Sequence, residues 1–292
     1  MLVEIFCEID DFCKLLDENR KKLLGVDSYR APGRKSSLTQ SEIMTIEIYF
    51  HASKFKTFKD YYKTMICGFL RSYFTKVVSY NRFIELRQEI LFPLLLFIKI
   101  KGSGDCDGIS IVDSTTLEVC HIRRAASHKL FKGIAQKGKS STGWFYGFKL
   151  HLVINSKGEI INFYITPGNV SDNNPNVLDK ITCDIFGKMV GDKGYIGAFK
   201  QLYDKGIFLI HGIRKNMKNK LMHLFDKFLL KRRGVVESVN GILKEGLGLE
   251  YSKNRSKIAY FMQICSTIVA YHFKPNKPHI LPAEMAAKLC VN

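Results

Sequence analysis

Three carboxylates from separate parts of the chain are the residues best suited to chemistry. Asp113 follows the apolar run 109–112, as on a buried strand, and Asp192 ends a second apolar stretch where a strand gives way to a loop. Glu237 lies within a helical segment. Because Mg²⁺ prefers hard oxygen ligands and takes only a few carboxylates from a protein, three acids that converge in the fold predict a metal-dependent phosphoryl-transfer centre. The alternative for each acid by itself is a solvated surface position.

Five short motifs follow one another along the chain and include these carboxylates. They are residues 111–115 (IVDST), 138–151 (GKSSTGWFYGFKLH), 166–172 (TPGNVSD), 191–195 (GDKGY) and the spaced signature Arg233, Glu237 and Lys244. Together, over residues 38–273, they resemble the DDE transposases of bacterial insertion sequences, and in particular the IS982 family. Related families have a tyrosine three residues before the arginine, where this chain has Leu230.

The resemblance implies an α/β fold: an RNase H-like catalytic core with a mixed sheet, preceded by a helical N-terminal domain. It also implies cleavage and strand transfer of an insertion sequence with two Mg²⁺ or Mn²⁺ ions, which typically lie roughly 4 Å apart. Asp113 is expected to bridge both ions, and Asp192 and Glu237 to complete one side each. The expected partners are double-stranded DNA, as terminal inverted repeats and as target, and a second copy of the chain on that DNA. We expect a bacterial cytoplasmic, nucleoid-associated protein.

The sequence is also compatible with two other functions. The chain could be a non-catalytic DNA-binding protein or an inactivated transposase remnant, although the three acids are intact. It could also be a nuclease that cuts DNA without joining strands. A strand-transfer assay separates these possibilities.

The charge distribution independently favours a nucleic-acid partner. Lys and Arg number 45 against 27 Asp and Glu, a net charge of +18, and such a surplus favours polyanions through counterion release. Residues 119–158 contain eight basic and no acidic residues, and residues 193–233 contain eleven basic and two acidic ones. Both blocks adjoin the proposed carboxylates, whereas a solvated basic face is the alternative. The predicted DNA-binding residues are Lys137, Lys139, Lys149, Lys193, Arg214, Lys215, Arg233 and Lys244.

Residues 133–140 (GIAQKGKS) match the phosphate-binding pattern G-x-x-x-x-G-K-S. A true P-loop follows an apolar strand and opens a helix, whereas this segment follows a polar stretch and precedes a strand. We therefore predict no nucleotide cofactor and assign Lys137 and Lys139 to DNA phosphates. Trp144, the only tryptophan, could stack on an unpaired base, but an aromatic residue that opens a core strand is the more common case.

The chain divides into three predicted regions. Residues 1–103 form a helical domain that recognises DNA ends, residues 104–274 form the catalytic domain, and residues 275–292 form a tail. Helices are predicted at 4–24, 58–66 and 81–98, and a capping box at 39–42 begins another. That helix and the basic loop 29–37 are the predicted recognition surface. Strands are predicted at 109–119, 146–154, 160–166, before Asp192 and at 207–213, with helices near 175–185 and 198–205.

The cysteines and the apolar runs exclude other classes of protein. The eight cysteines are scattered without a Cys-x-x-Cys pair, which argues against a zinc knuckle or a disulfide framework. Cys120, His121 and His128 are therefore interpreted as structural. The longest apolar run, 90–100, is too short to span a bilayer, so we predict no membrane partner.

Overall fold

The computed structural model describes residues 1–24, 36–141, 143–213, 221–250 and 254–280. The chain forms two compact units. One contains Met1–Gly102 and Leu243–Lys274, and we call it the helical unit; the other contains Ser103–Ile242 and Pro275–Asn292, and we call it the sheet unit. Each is described by itself.

The sheet unit is built on six strands. They are β1 (Ile109–Cys120), β2 (Gln136–Ser140), β3 (Gly143–Asn155), β4 (Ile160–Pro167), β5 (Gly187–Gly191) and β6 (Ile207–His211). The strand order is β2-β3-β1-β5-β6, and β4 pairs with the part of β3 that β2 leaves open. Strands β1 to β4 pair antiparallel, while β1, β5 and β6 run parallel. The sheet is therefore mixed, which confirms the predicted fold class.

The described residues of the sheet unit form four α-helices: α6 (Pro175–Ile181), α7 (Phe199–Tyr203), α8 (Leu224–Lys231) and α9 (Gly234–Gly241). The α6 helix begins where Asn174 caps it and Pro175 occupies its first turn, a position in which proline loses no hydrogen bond. Its buried side chains Val177 and Leu178 join Val112 of β1 and Met189 of β5 in one core cluster. This packing covers the parallel part of the sheet and fixes the positions of the strands that carry or precede Asp113 and Asp192.

The helical unit contains α1 (Leu2–Leu24), α2 (Gln40–Ala52), α3 (Phe58–Tyr61), α4 (Tyr80–Leu86), α5 (Leu91–Phe97) and α10 (Lys257–His272). The predicted capping box is confirmed: the Thr39 hydroxyl accepts from the Glu42 N–H, and the Glu42 carboxylate accepts from the Thr39 N–H. The predicted helix at 81–98 is interrupted, because a 3₁₀ segment, Arg87–Ile90, separates α4 from α5.

Helix α2 lies at the centre of the helical unit. It packs against α1 and α10, and its residues from Ile43 to Ile48 are buried. The interpretation of α2 as a DNA-recognition surface is therefore wrong, because tertiary packing covers the helix. Its buried Glu47 forms an ion pair with Arg87 at 2.5 Å on the wall of a cleft of about 850 Å³. The basic loop 29–37 lies almost wholly outside the described residues.

The division of the chain differs from the predicted one at its C-terminal side. Helix α10 packs against α2 and α5, so residues 243–274 group with the first hundred residues rather than with the sheet. The tail behaves differently: the Ile280 N–H donates to the Ser156 carbonyl at 2.8 Å within the sheet unit. No helix in the described ranges is long and apolar enough to cross a membrane.

Candidate active site

Asp113 lies on β1 at the end of a buried run, as predicted. Residues 109–112 of β1 are buried, and Asp113 itself is partly buried opposite Leu152 of β3. Burial raises the pKa of the Asp113 carboxyl from 3.8 to about 6, although the Arg233 guanidinium opposes this shift. The charges of Glu237 and Asp192 raise the pKa further, so both of the other predicted acids act electrostatically on Asp113.

Parallel pairing explains how Asp192 comes to this place. The last paired residues of β1 and β5 are Ile111 and Val190, and each acid lies two residues beyond its own member of that pair. Neighbouring strands are about 4.8 Å apart, so this register places the two acids side by side where the pairing of β1 with β5 ends. Asp192 is exposed there, and its carboxylate accepts a hydrogen bond from the Gly194 N–H and so caps the 3₁₀ turn that follows.

Glu237 reaches the site on α9, which packs against β1 through its buried Val236 and Val239. Arg233 lies one turn earlier and joins two of the acids. Its guanidinium is 2.5 Å from the Glu237 Oε1 and 3.9 Å from the Asp113 Oδ1. A single cation therefore bridges the carboxylates of a strand and a helix.

Asn240 is a site residue that sequence reasoning missed. Its Nδ2 donates to the Asp113 Oδ2 at 3.1 Å, and its side chain is buried. The helical spacing could have identified it, because residues 233, 237 and 240 follow the i, i+4, i+7 pattern of one helix face. Asn240 fixes the rotamer of the aspartate on the strand below.

Tyr195 places a buried hydroxyl near the acids. Burial raises the pKa of the phenol well above 10, and the charges of Asp172, Asp113 and Asp192 raise it further. The hydroxyl has no hydrogen-bond partner within the described part of the chain. It stays a neutral phenol close to three carboxylates.

A second polar cluster involves two motif residues to which the sequence reasoning assigned no role. The Asp172 carboxylate accepts from the Lys149 ammonium at 3.1 Å and lies 3.8 Å from the His151 Nδ1. The His151 Nε2 is 2.9 Å from the Thr166 hydroxyl. Burial lowers the pKa of His151 to about 4, because the favourable charge of Asp172 is weaker than desolvation. The sequence could have indicated a role for Asp172 and His151, since each is the last residue of a motif on which the family resemblance rests.

The donor set at Asp113 and Glu237 fits a hard divalent cation. Both are carboxylates, and in their present arrangement a guanidinium neutralises them, which shows that the pair attracts positive charge. Across the described residues, however, no three His, Cys, Asp or Glu side chains come together closely enough to hold a metal ion. A cation at this place therefore requires Arg233 to give up at least one of its two contacts.

The eight predicted DNA-binding residues fall into different environments. Lys137, Lys139 and Lys193 are exposed. Three others already contact acids: Lys149 contacts Asp172, Arg233 contacts Glu237, and Lys244 contacts Glu250 at 2.6 Å within the helical unit. Arg214 and Lys215 lie outside the described residues. The predicted shared face of Glu237 and Lys244 assumed one α-helix, whereas α9 passes into a π-helix, Ile242–Gly246, with wider spacing.

The segment that matches the P-loop pattern has a different geometry. Residues 136–140 form strand β2, which pairs antiparallel with the start of β3. No helix follows, so no helix N-terminus faces its glycines as a nucleotide phosphate requires. The Lys137 and Lys139 side chains are instead exposed on a two-stranded ribbon.

The family assignment rests on a comparison with known proteins. A family model described as "Transposase DDE domain" matches residues 103–257, more than half of the chain. The match contains Asp113, Asp192 and Glu237, and no curated protein sequence matches the chain. The mixed sheet, the electrostatically linked acids and the extent of the match lead to one conclusion: the chain belongs to the transposase DDE domain family.

Proposed function

We propose that this protein is an IS982-type transposase that cleaves and joins DNA by divalent-metal-dependent phosphoryl transfer, with Asp113, Asp192 and Glu237 as its catalytic carboxylates. One observation carries the proposal: the Arg233 guanidinium lies between Asp113 and Glu237, and Asp113 responds electrostatically to Asp192 as well. Two of the three acids thus already hold a cationic group, and the third, Asp192, follows the strand parallel to β1.

The chain's own residues have distinct roles in this proposal. Asp113, Asp192 and Glu237 would be the protein ligands for Mg²⁺ or Mn²⁺, with Asp113 shared between two ions, and the ions would supply charge stabilisation for the attacking and leaving oxygens. Asn240 holds the Asp113 carboxylate in one orientation through its Nδ2. Arg233 and the exposed Lys193 neutralise the phosphate near the acids.

We assign the recognition of element ends to the helical unit and backbone contacts to the sheet unit, with two copies of the chain on double-stranded DNA. Phosphate contacts carry little sequence information, so discrimination must come from another surface. A fragment starting at residue 104 would expose the apolar face of α10, so point substitutions are the better test. Replacing Arg30 and Arg34 with alanine should reduce the preference for terminal repeats over random DNA. Replacing the exposed Lys99 and Lys101 should leave it unchanged.

The decisive experiment is strand transfer by the purified full-length chain. Labelled DNA carrying the element's terminal repeats is incubated with Mg²⁺ and with target DNA. Asp113→Asn, Asp192→Asn and Glu237→Gln should each abolish cleavage and leave DNA binding intact, because each keeps the side-chain shape but removes a charged ligand. Asp204→Asn, at an exposed aspartate after α7, is the matched control.

The outcomes separate the alternative functions. Cleavage without joined products indicates a nuclease rather than a transposase. DNA binding without cleavage in Mg²⁺ or Mn²⁺ indicates a non-catalytic or inactivated protein. Robust cutting by any one of the three acid variants would show that the residue concerned is not a catalytic ligand.

A further inference from the structure

Trp144 is unusually exposed for the only tryptophan of a chain with a well-packed sheet. Its side chain is 61% exposed, whereas the next two residues, Phe145 and Tyr146, are buried. Tryptophan is highly buried on average in folded proteins. The expectation that Trp144 opens a core strand as a packed aromatic residue is therefore wrong, since the core begins one residue later.

The β2–β3 ribbon holds this indole on a firm support. A Cβ built on Gly138 of β2 would lie 2.1 Å from the Gly168 carbonyl oxygen and 2.7 Å from the Phe145 ring, so the ribbon rests directly on the turn after β4. The buried Phe145 fixes the opposite face of β3. A side chain on such a support loses little backbone freedom when it contacts a ligand.

The surroundings of Trp144 favour a polyanion over an apolar partner. Lys139 pairs with Trp144 across the ribbon, and its Nζ lies 5.9 Å from the centre of the indole ring. Lys137 lies two residues earlier on the same face and is also exposed. Among the described residues of β1, β2 and β3, Trp144 is the one exposed large apolar side chain. A single aromatic ring beside two lysines of the neighbouring strand suits one planar ligand next to negative charge rather than a hydrophobic interface.

The register relates Trp144 to the catalytic carboxylate. Asp113 pairs with Leu152, which lies an even number of residues after Trp144 on β3, so all three side chains belong to the same face of the sheet. At about 3.3 Å per residue, Trp144 lies roughly 26 Å along the strand from that pair.

We propose that Trp144 is a stacking site for an unpaired DNA base, with Lys137 and Lys139 of the neighbouring strand contacting the adjacent phosphates. The proposal deepens the proposed function, since it names a strand-opened form of the same DNA substrate. Stacking on an aromatic ring tolerates any base, because every base has a π-face, and the lysines supply the salt-dependent part of the affinity. The site therefore selects unpaired DNA rather than a particular sequence.

The fluorescence of the wild-type, full-length protein tests the proposal directly, because Trp144 is the only tryptophan. The protein is titrated with a short single-stranded thymidine oligonucleotide, with the same strand lacking its bases, and with a blunt duplex. We expect strong quenching by the strand that carries bases and much weaker quenching by the other two. Equal quenching by all three, or none by the single strand, would overturn the proposal.

Substitutions provide an independent measurement with labelled single-stranded DNA. Trp144→Ala should weaken binding about 5- to 140-fold, the range expected for the loss of one aromatic–base stack, and Trp144→Phe should retain most of the affinity. Tyr203→Ala, at an aromatic residue of the sheet unit that is 62% exposed, is the matched control and should change nothing. Equal affinities of the Trp144→Ala variant and the wild type would contradict the stacking role.

The two proposals fail in different ways. Quenching requires no cleavage, so base-dependent quenching in a protein that never cuts DNA supports the stacking site and refutes the catalytic function. Cleavage and strand transfer with no base-dependent quenching supports the catalytic function and refutes the stacking site.

Discussion

Asp113→Asn should stabilise the metal-free protein even though it removes a carboxylate that we propose is catalytic. Burial raises the pKa of Asp113 from 3.8 to about 6, so the folded protein holds this group in an environment that disfavours its charge. Asparagine has nearly the same shape and no charge. We therefore expect Asp113 to lower the stability of the metal-free protein and to be required for activity.

The pKa shift sets the magnitude and the pH range. A shift of about two units corresponds to about 3 kcal/mol, at 1.36 kcal/mol per unit. Because the folded state binds the proton more tightly, wild-type stability falls as pH rises between about 4 and 6 and stays low above that window. At about 2–4 °C per kcal/mol for a chain of this size class, the variant should melt about 6–12 °C higher at pH 8.

Thermal unfolding of both proteins in chelator at pH 4 and pH 8 measures the effect. The gain should be present at pH 8 and mostly lost at pH 4, where the folded carboxyl is protonated and the unfolded one is about half protonated. Adding Mg²⁺ should raise the melting temperature of the wild type more than that of the variant. Asp204→Asn, at an exposed carboxylate, should show neither effect. A variant that melts no higher than the wild type at pH 8, or that keeps its gain at pH 4, would refute the reasoning.

Three further outcomes test other contacts. Replacing Lys137 and Lys139 with alanine should weaken binding to DNA of any sequence and flatten the slope of log K against log salt by about 1.8. ATP hydrolysis that depends on Lys139 would contradict this role. Glu47→Gln should lower the free energy of unfolding, measured by urea titration, by about 3–5 kcal/mol, because Arg87 stays buried without its charged partner. The double variant Glu47→Leu with Arg87→Met removes both charges and should lower the free energy of unfolding much less. Asn240→Ala should lower the cleavage rate about 10- to 100-fold with unchanged DNA affinity, and an unchanged rate would exclude its positioning role.

Local patterns in the sequence were sufficient to predict most of the strands and the elements that carry the three acids. Apolar runs that end in a carboxylate indicated Asp113 on a buried strand and Asp192 at the end of another, because buried strands are recognisable from short continuous apolar segments. The capping box at Thr39 was recognised for the same reason, since both hydrogen bonds of that motif join residues three apart.

The short strand β2 was not predicted. Its sequence, Gln136–Ser140, contains lysines and a glycine and lacks the apolar alternation typical of strands. It pairs with β3 because Gly138 allows a close approach to the turn at Gly168, a contact between residues thirty positions apart. The flanking residues argued correctly against a P-loop here, but the sequence did not predict the exposed ribbon that presents Trp144.

The sequence by itself determined which residue types are available for chemistry and that the chain carries a large positive charge. Tertiary structure decided which of these residues contact one another. Asn240 donates a hydrogen bond to Asp113, and Arg233 lies between two acids. Lys149 contacts Asp172 and is therefore not free to bind DNA. It also decided that α10 belongs with the helices at the start of the chain. Periodicity shows which face of an element is apolar, but the partner that covers this face is selected by packing between residues far apart in sequence.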